Sequence, residues 1–287
     1  MRVSVFILWR NSSHYIHDTL FNLECMEKHS DDFNFEYFFY ENDSNDETAK
    51  ELNNWLTREK RHGLVRSENL GAYYPEQHSD TSYERSRKMT YYRNKMLSLG
   101  FEFTAKERKL DSEYSIIFDS DINFDEDTFE MLLSYLKDDI AFCTPNVMQN
   151  VLCKMCNCGK ESYYDSWALQ DLYGNPALTW SCNPFAKNVD RESWQKGNPV
   201  KVNSAFGGFT LIKSNILNNL AWSTDGDIEH RNFCADIRRF GHIIVIPEIK
   251  VYAKVGSSNF TKQDEIIKTQ KEALLSLNQG LPNKEDF

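Results

Sequence analysis

Hydrophobic and polar positions change period repeatedly along the first half of the chain. Residues 3–9, VSVFILW, form an unbroken apolar run, the pattern of a short strand buried on both faces. Helical spacing follows over residues 15–26. Residues 33–40, FNFEYFFY, predict a second, strongly aromatic strand that stops at the polar turn cluster Glu41-Asn42-Asp43-Ser44. A helix over 47–59 and a brief strand at Leu64-Val65 come next. After a polar loop holding Gly71 and Pro75, a helix is predicted over 82–99. A fourth strand, SIIF at 115–118, runs into Asp119-Ser120-Asp121. The helix predicted over 126–136 carries Phe129, Leu132, Leu133 and Leu136 on one stripe, and 140–144 is a fifth strand. Strand–helix alternation of this kind predicts an α/β fold: a mostly parallel central sheet flanked by helices.

The second half is less regular. Residues 153–200 are rich in Trp, Asn, Tyr and Pro, and loops that long in a compact domain are usually functional. A strand at 209–212, helices at 214–220 and 229–240, and a strand at 243–246 follow. Residues 261–277 read as an amphipathic helix capped by Thr261, with Asp264 in its first turn. With no repeats and no low-complexity linker, one domain over 1–287 is the economical reading.

Composition narrows the function classes. The net charge of −10 comes without a basic stripe, which argues against a nucleic-acid partner, since phosphate backbones need clustered Lys and Arg. An anionic ligand must then be met by a metal or by a few local arginines. The N-terminal apolar run falls far short of the roughly 20 residues a membrane span needs. No small-residue cleavage site follows it, so a strand is expected there and no signal peptide. The expectation is a cytoplasmic protein with no membrane span. Seven cysteines, an odd count, fit reduced thiols in such a compartment. Cys153, Cys156 and Cys158 lie together in CKMCNC. A zinc site there would need a fourth ligand from Cys143, Cys182 or His230, and the second half of a zinc knuckle is missing. The sequence favours loop thiols.

Several residues carry chemistry. Asp119 and Asp121 stand two apart at the carboxyl end of a buried strand, where open α/β sheets bind ligands. In extended chain they would face one side, and their hard oxygens suit Mg²⁺ or Mn²⁺ bridging to phosphates. The plainer reading is a polar loop before a helix capped by Asp125. Glu41 and Asp43 can accept hydrogen bonds from a ribose or base edge, and the same cluster can cap the following helix. Arg85, Met89 and Arg93 share one side of their helix. Arg93 borders the apolar stripe of Met89, Tyr92, Met96 and Leu97, so a partner is required: either a diphosphate, or an internal carboxylate such as Glu84 or Asp119. Tyr163-Tyr164-Asp165-Ser166-Trp167 mixes aromatic faces with an acid, as sugar sites do, with a hydrophobic surface helix as the alternative. Gly207-Gly208 before FTLIK marks a close backbone approach or a simple turn. Glu229 and His230 open a helix, where an acid usually serves the helix dipole.

Taken in order, these features resemble the GT-A class of glycosyltransferases: the ENDS turn, YYRNK, the DxD, FGGFTLIKS and IEHRNFCADIRRFG. Within that class they are most similar to the fungal capsule-associated α-1,3-mannosyltransferase family, through YYRNKML, IIFDSDINFDEDTFEMLL, Cys143, YYDSWALQDLYG and the V-x-S-x-x-G stretch from Val202 to Gly207. The resemblance implies a Rossmann-like nucleotide-diphospho-sugar fold. Residues 1–145 would bind the nucleotide-sugar, 146–255 would form the acceptor side, and 256–287 a C-terminal helix. It implies Mn²⁺ or Mg²⁺ at Asp119 and Asp121, and a GDP- or UDP-linked sugar donor, with GDP-mannose favoured. Asp43, Glu41, Arg85, Arg93, Gly207 and Gly208 would contact the donor, and Asp165 and Trp167 a glycan acceptor. Glu229 stands where inverting members place a base, with Asp225 and Asp227 as rivals. In a retaining enzyme, as that family implies, Glu229 would hold the acceptor instead. Relatives' C-terminal metal-binding His is replaced by Ala253, so water or His230 would complete the metal site. The competing classes are a nucleotidyltransferase, which lacks its Gly-rich, Lys-bearing loop here, and a non-catalytic nucleotide- or glycan-binding relative.

Overall fold

The computed structural model describes residues 1–71, 83–104, 109–137, 139–156, 158–224 and 228–254. The helix expected over 261–277 and the acids Asp225 and Asp227 lie outside the described residues. The first half follows the predicted alternation: β1 (Arg2–Trp9), α1 (Ile16–His29), β2 (Asn34–Asn42), α2 (Thr48–Arg58), β3 (His62–Glu68), α3 (Tyr83–Phe103) and β4 (Tyr114–Asp119). Then come β5 (Ile122–Asn123), α4 (Thr128–Tyr135), β6 (Ile140–Leu152), β7 (Glu161–Tyr163), β8 (Gln170–Asp171), α5 (Asn188–Gln195), β9 (Val200–Ser204), β10 (Phe209–Lys213), α6 (Ser214–Leu217), α7 (Glu229–Ile237) and β11 (His242–Ala253).

The strands form one mixed sheet in the order β3-β2-β1-β4-β10-β6-β11-β9-β8. The strands β3, β2, β1 and β4 are mutually parallel. Because β10 is antiparallel to both β4 and β6, and β11 is parallel to β6, strands β6 and β11 run the same way as β4. The sheet is therefore mostly parallel, as predicted. Its aromatic strand is buried throughout, with Tyr37, Phe38, Phe39 and Tyr40 fully inaccessible. The expected stripe of α3 is also inside, where Met89, Tyr92, Met96 and Leu97 are buried. Phe129, Leu132 and Leu136 are buried around α4, but Leu133 is only half-buried.

Three differences matter for the site. First, β6 runs on to Leu152 through Pro145. A proline removes one ladder donor and is tolerated at irregular pairing; the β6–β11 register shifts between Ile246 and Lys250, where Pro145 pairs. Second, the segment after the DxD is not simply loop. The short strand β5 pairs antiparallel with the end of β11, joining Ala253 to Ile122. Third, the helix after the DxD starts at Thr128 behind Asp127, not behind Asp125.

Candidate active site

The strands β1, β2 and β4 end on one edge of the sheet, in register: Leu8 pairs with Asp119 and Trp9 with Glu41. Whatever follows those strands therefore gathers in one crevice, the place where open α/β sheets bind ligands. Arg10, Asp43 and Asp119 all stand there.

Asp119 closes β4, and the chain turns at Ser120-Asp121 before β5. The two carboxylates are thus brought together by a turn, not by alternation along an extended strand as expected. The turn is fixed on several sides. Asp119 N–H donates to Gly208 O at 2.8 Å, and Lys254 N–H to Asp121 O at 2.8 Å. Thr19 Oγ1 donates to Ser120 O at 2.8 Å, and the Tyr15 hydroxyl lies 3.0 Å from Ser120 Oγ. Burial, reinforced by the Asp119 charge, pushes the Asp121 carboxyl up to about 6. A buried acid raised by a like charge is a group that gains from a cation.

Gly207 and Gly208 both adopt left-handed φ, +63° and +62°. A Cβ at Gly208 would lie 2.7 Å from Ile122 Cδ1 and 3.8 Å from Asp119 Oδ2, and one at Gly207 would meet Thr144 Oγ1. The expected close backbone approach is therefore to the DxD turn itself. Gly207 N–H donates to Asp165 Oδ2 at 2.8 Å, and Ala168 N–H to Asp165 Oδ1 at 3.3 Å. Burial pushes the Asp165 carboxyl up to about 6, opposed by those two N–H groups and aided by Asp119. Burial, and then the charges of Asp121, Asp119 and Asp165, hold the neighbouring Tyr164 hydroxyl well above its ordinary range. Tyr164 thus belongs to the same wall. Trp167 is half-buried, its carbonyl accepting from Arg231 Nη2 at 3.0 Å.

Arg93 lies beneath this crevice. Its side chain is only 3% exposed, and Nη2 reaches Asp119 Oδ1 at 3.2 Å. Of the two partners left open by the sequence, the internal carboxylate Asp119 is the one in contact with it here. The guanidinium also sits 4.6 Å over the Phe206 ring and 3.1 Å from His230 Nε2. Burial first, then Arg93 and Arg85, keep His230 neutral. A guanidinium has no acceptor, so Nε2 must accept and Nδ1 carries the proton. In that arrangement the ring is stacked on Phe206 at 4.1 Å and its Nε2 faces Arg93. Among the described residues Asp119 and Asp121 gather no third His, Cys, Asp or Glu into a ligand cluster.

Glu229 is the first residue of α7, and its side chain is 1% exposed, 4.0 Å from Arg93 Nε. A general base must reach the hydroxyl it deprotonates, and this carboxylate presents almost no surface. It stands behind Arg93. Glu41 is likewise turned inward and buried: Oε1 accepts from Ser44 N–H at 2.8 Å and Oε2 from Ser67 Oγ. Asp43, at left-handed φ +54°, remains half-buried at the rim. Its Oδ1 receives Leu70 and Gly71 N–H at 2.6 and 2.8 Å. These bonds, with the Asn42 amide and Arg10, outweigh burial and hold its carboxyl below the usual range. Arg85, in the first turn of α3, is half-buried and close enough for its charge to act on Tyr164 and His230. Sequence reasoning missed Arg10, Tyr15 and Phe206. Only Arg10, a cation directly after a buried strand, carried a local signal.

Comparison with known proteins shows a family and a fold. The sequence profile of the family described as Cryptococcal mannosyltransferase 1 matches residues 34–240, well over half of the chain. No curated protein matches by sequence. Among solved structures, S. aureus TarS 1–349 in complex with UDP-GlcNAc aligns with a TM-score of 0.52 at 13% identity, over 99% of this chain and 68% of TarS 1–349. Full-length S. aureus TarS aligns with the same TM-score over 45% of its own length. The mannosyltransferase PcManGT from Pyrobaculum calidifontis, in complex with GDP-Man and Mn²⁺, aligns at 0.52 and 14% identity, over 98% of this chain and 65% of PcManGT. The fold is that of the GT-A glycosyltransferases, and the chain is a glycosyltransferase belonging to the Cryptococcal mannosyltransferase 1 family.

Proposed function

We propose that this glycosyltransferase moves a hexose, mannose from GDP-mannose in preference to a UDP-linked sugar, onto a glycan hydroxyl in a divalent-metal-dependent reaction. The observation that carries this reading is the DxD turn at the carboxyl end of β4, closed on one side by a left-handed glycine pair. The donor set fits Mn²⁺ or Mg²⁺: two carboxylates, hard oxygens, with Asp121 raised by burial beside Asp119. Asp119 and Asp121 would hold the ion, which would offset the negative charge that builds on the leaving nucleotide.

The other roles follow from position. Asp43 and Arg10, past β2 and β1, are placed for the nucleoside end. Arg85 is the cation at the rim nearest the diphosphate. Gly207 and Gly208, whose missing Cβ atoms let Thr144 and Ile122 pack against them, would line the donor side of the crevice beside Asp119. Asp165, Tyr164 and Trp167 form the wall that would meet the acceptor, with the Asp165 carboxylate accepting from an acceptor hydroxyl. Arg93 holds Asp119 in orientation, and Glu229 balances the buried Arg93 charge, so both are positioning residues.

A panel of GDP- and UDP-sugars, tested for Mn²⁺-dependent donor hydrolysis and transfer, is the direct test. The expected outcome is turnover with GDP-mannose that EDTA abolishes and Mn²⁺ restores. Asp121→Ala should lose turnover while unfolding as the parent does. Activity that survives EDTA, or a fully active Asp121→Ala, would overturn the metal assignment. Binding of nucleotide without turnover of any donor would favour the non-catalytic reading.

A further inference from the structure

A second cluster lies outside this crevice, on the irregular segment between β6 and β9. Cys153, Cys156 and Cys158 share a C-x₂-C-x-C stretch, and the fold brings Cys182 to them. The four sulfurs lie within 4.8 Å of one another. Cys153 and Cys156 are 3.3 Å apart, Cys156 and Cys182 3.5 Å, and Cys158 and Cys182 3.5 Å. All four are free thiols. Those separations far exceed an S–S bond of about 2.05 Å. They come close to the edge of a thiolate tetrahedron around zinc, which at about 2.3 Å per Zn–S bond is about 3.8 Å.

The scaffold around the sulfurs is fixed independently of them. Cys153 N–H donates to Lys160 O at 2.7 Å and closes the turn that holds the first three cysteines. The segment carrying Cys182 is tied alongside by Lys154 N–H to Trp180 O at 3.0 Å, and by Tyr163 N–H to Ser181 O at 2.8 Å. Trp194 Nε1 donates to Cys182 O at 3.0 Å. Trp180, two residues before Cys182, takes a left-handed φ of +57°, a conformation that persists only where the surroundings over-determine it. Backbone N–H groups of Cys182, Cys156 and Met155 reach the Cys153 sulfur, and that of Lys160 reaches Cys158, as donors to metal-bound thiolates do. Cys156 and Cys158 are exposed, so apolar packing does not account for gathering them.

We propose that Cys153, Cys156, Cys158 and Cys182 form a closed structural zinc site that pins the β6–β7 hairpin to the segment before α5. Four thiolates leave no open position, which is the mark of a structural site and not a catalytic one. The pin stands at the turn of the hairpin whose second strand leads to Tyr164 and Asp165, and it is separate from the ion that Asp119 and Asp121 would hold. Binding converts four thiols to thiolates and releases their protons.

The full chain, purified under reducing conditions and dialysed against EDTA, is assayed by plasma mass spectrometry. The expected result is one zinc per chain, retained in Asp121→Ala and Cys25→Ser and lost in Cys158→Ser and Cys182→Ser. Should those variants fold poorly, the parent chain loaded with Co²⁺ gives a second reading. Thiolate-to-cobalt charge-transfer and tetrahedral d–d bands are expected, bleached by added Zn²⁺. The proposal is overturned by a parent chain without stoichiometric zinc after zinc supplementation, by iron in its place, or by disulfides among the four cysteines. Zinc retained in Cys182→Ser, or octahedral cobalt spectra, would overturn it equally.

Discussion

Replacing Arg93 by Ala tests the charge arrangement beneath the crevice. Arg93 is 3% exposed and shared between Asp119 at 3.2 Å and Glu229 at 4.0 Å. The two acids would not suffer alike. Asp119 is 32% exposed and can recover water, whereas Glu229 is 1% exposed and cannot. Orphaning one member of a buried pair costs about 3–5 kcal/mol, and most of that should fall on Glu229. With an unfolding entropy of about 2.1 cal/mol/K per residue, a chain of 287 residues should lose about 5–8 °C of Tm. The assay is urea unfolding of Arg93→Ala, Glu229→Gln and the double variant. Because the amide of Glu229→Gln carries no charge, the second change should cost little or restore stability in the Arg93→Ala background, giving a coupling energy of about 1–3 kcal/mol. The reasoning is refuted if Arg93→Ala melts with or above the parent while its sugar-donor affinity falls. That pattern belongs to an arginine whose partner is the diphosphate.

Three further outcomes are expected. Gly208→Ala should cost about 2–4 kcal/mol, combining left-handed φ with a Cβ 2.7 Å from Ile122, and should weaken Mn²⁺ binding at the adjacent turn. Gly174→Ala, where no atom lies within 4 Å, should cost only about 1 kcal/mol and leave Mn²⁺ binding alone, as calorimetry of both would register. Glu229→Gln should keep kcat within about tenfold of the parent, whereas loss of a general base would lower it at least about a hundredfold; steady-state kinetics with GDP-mannose decides. Finally, Asp121 and Asp165 are each pushed up to about 6, so the folded state holds their protons more tightly than the unfolded chain. The associated stability is present at low pH and lost as pH rises through about 6. Metal needs the ionised carboxylate, so Mn²⁺ affinity should rise over the same interval, and melting curves from pH 5 to 8 with and without Mn²⁺ should diverge.

Strand ends were the most legible part of this sequence. The runs at β1, β2 and β4 are mostly apolar or aromatic, broken by Ser4, Glu36 and Ser115, and then stop at polar residues, which marks both the buried strand and its ligand-facing end. The position of Arg93 was legible for a related reason, since a charge beside Met89, Tyr92 and Met96 on a helix must have a partner. Its identity was not, because Asp119 lies on another element and only the packing of α3 against the sheet brings them together. The same limit hid Glu229. As the first residue of a helix it looks exposed and dipole-facing, and only contact of α7 with α3 buries it. Tyr15 gave no signal, since a tyrosine that borders a carboxylate pair in space reads in sequence as one tyrosine among 14. The extension of β6 through Pro145 was unreadable because a proline ends a strand in isolation. The neighbouring register shift that tolerates it belongs to β11, about a hundred residues away.

The cysteines show how spacing informs and misleads at once. A C-x₂-C-x-C stretch can be closed by local turn geometry, so three ligands are visible to anyone reading along the chain. A fourth must come from wherever the fold returns, and here the return is Cys182, 24 residues beyond Cys158. The missing second knuckle counted against zinc only on the premise that ligands arrive in pairs. Residues 153–200 carry few long strands or helices to hold them, so the path of this segment must be fixed by side-chain and metal cross-links more than by a ladder of backbone bonds. A single cysteine on a segment already tied by Lys154, Tyr163 and Trp194 needs no partner knuckle to be placed. For the same reason the loss of zinc should loosen the hairpin and the acceptor wall beyond it before it disturbs the parallel strands, and hydrogen exchange should show residues 161–168 losing protection while β1, β2 and β4 keep theirs. Equal loss in both regions would mean that the pin supports the whole fold and not this wall alone.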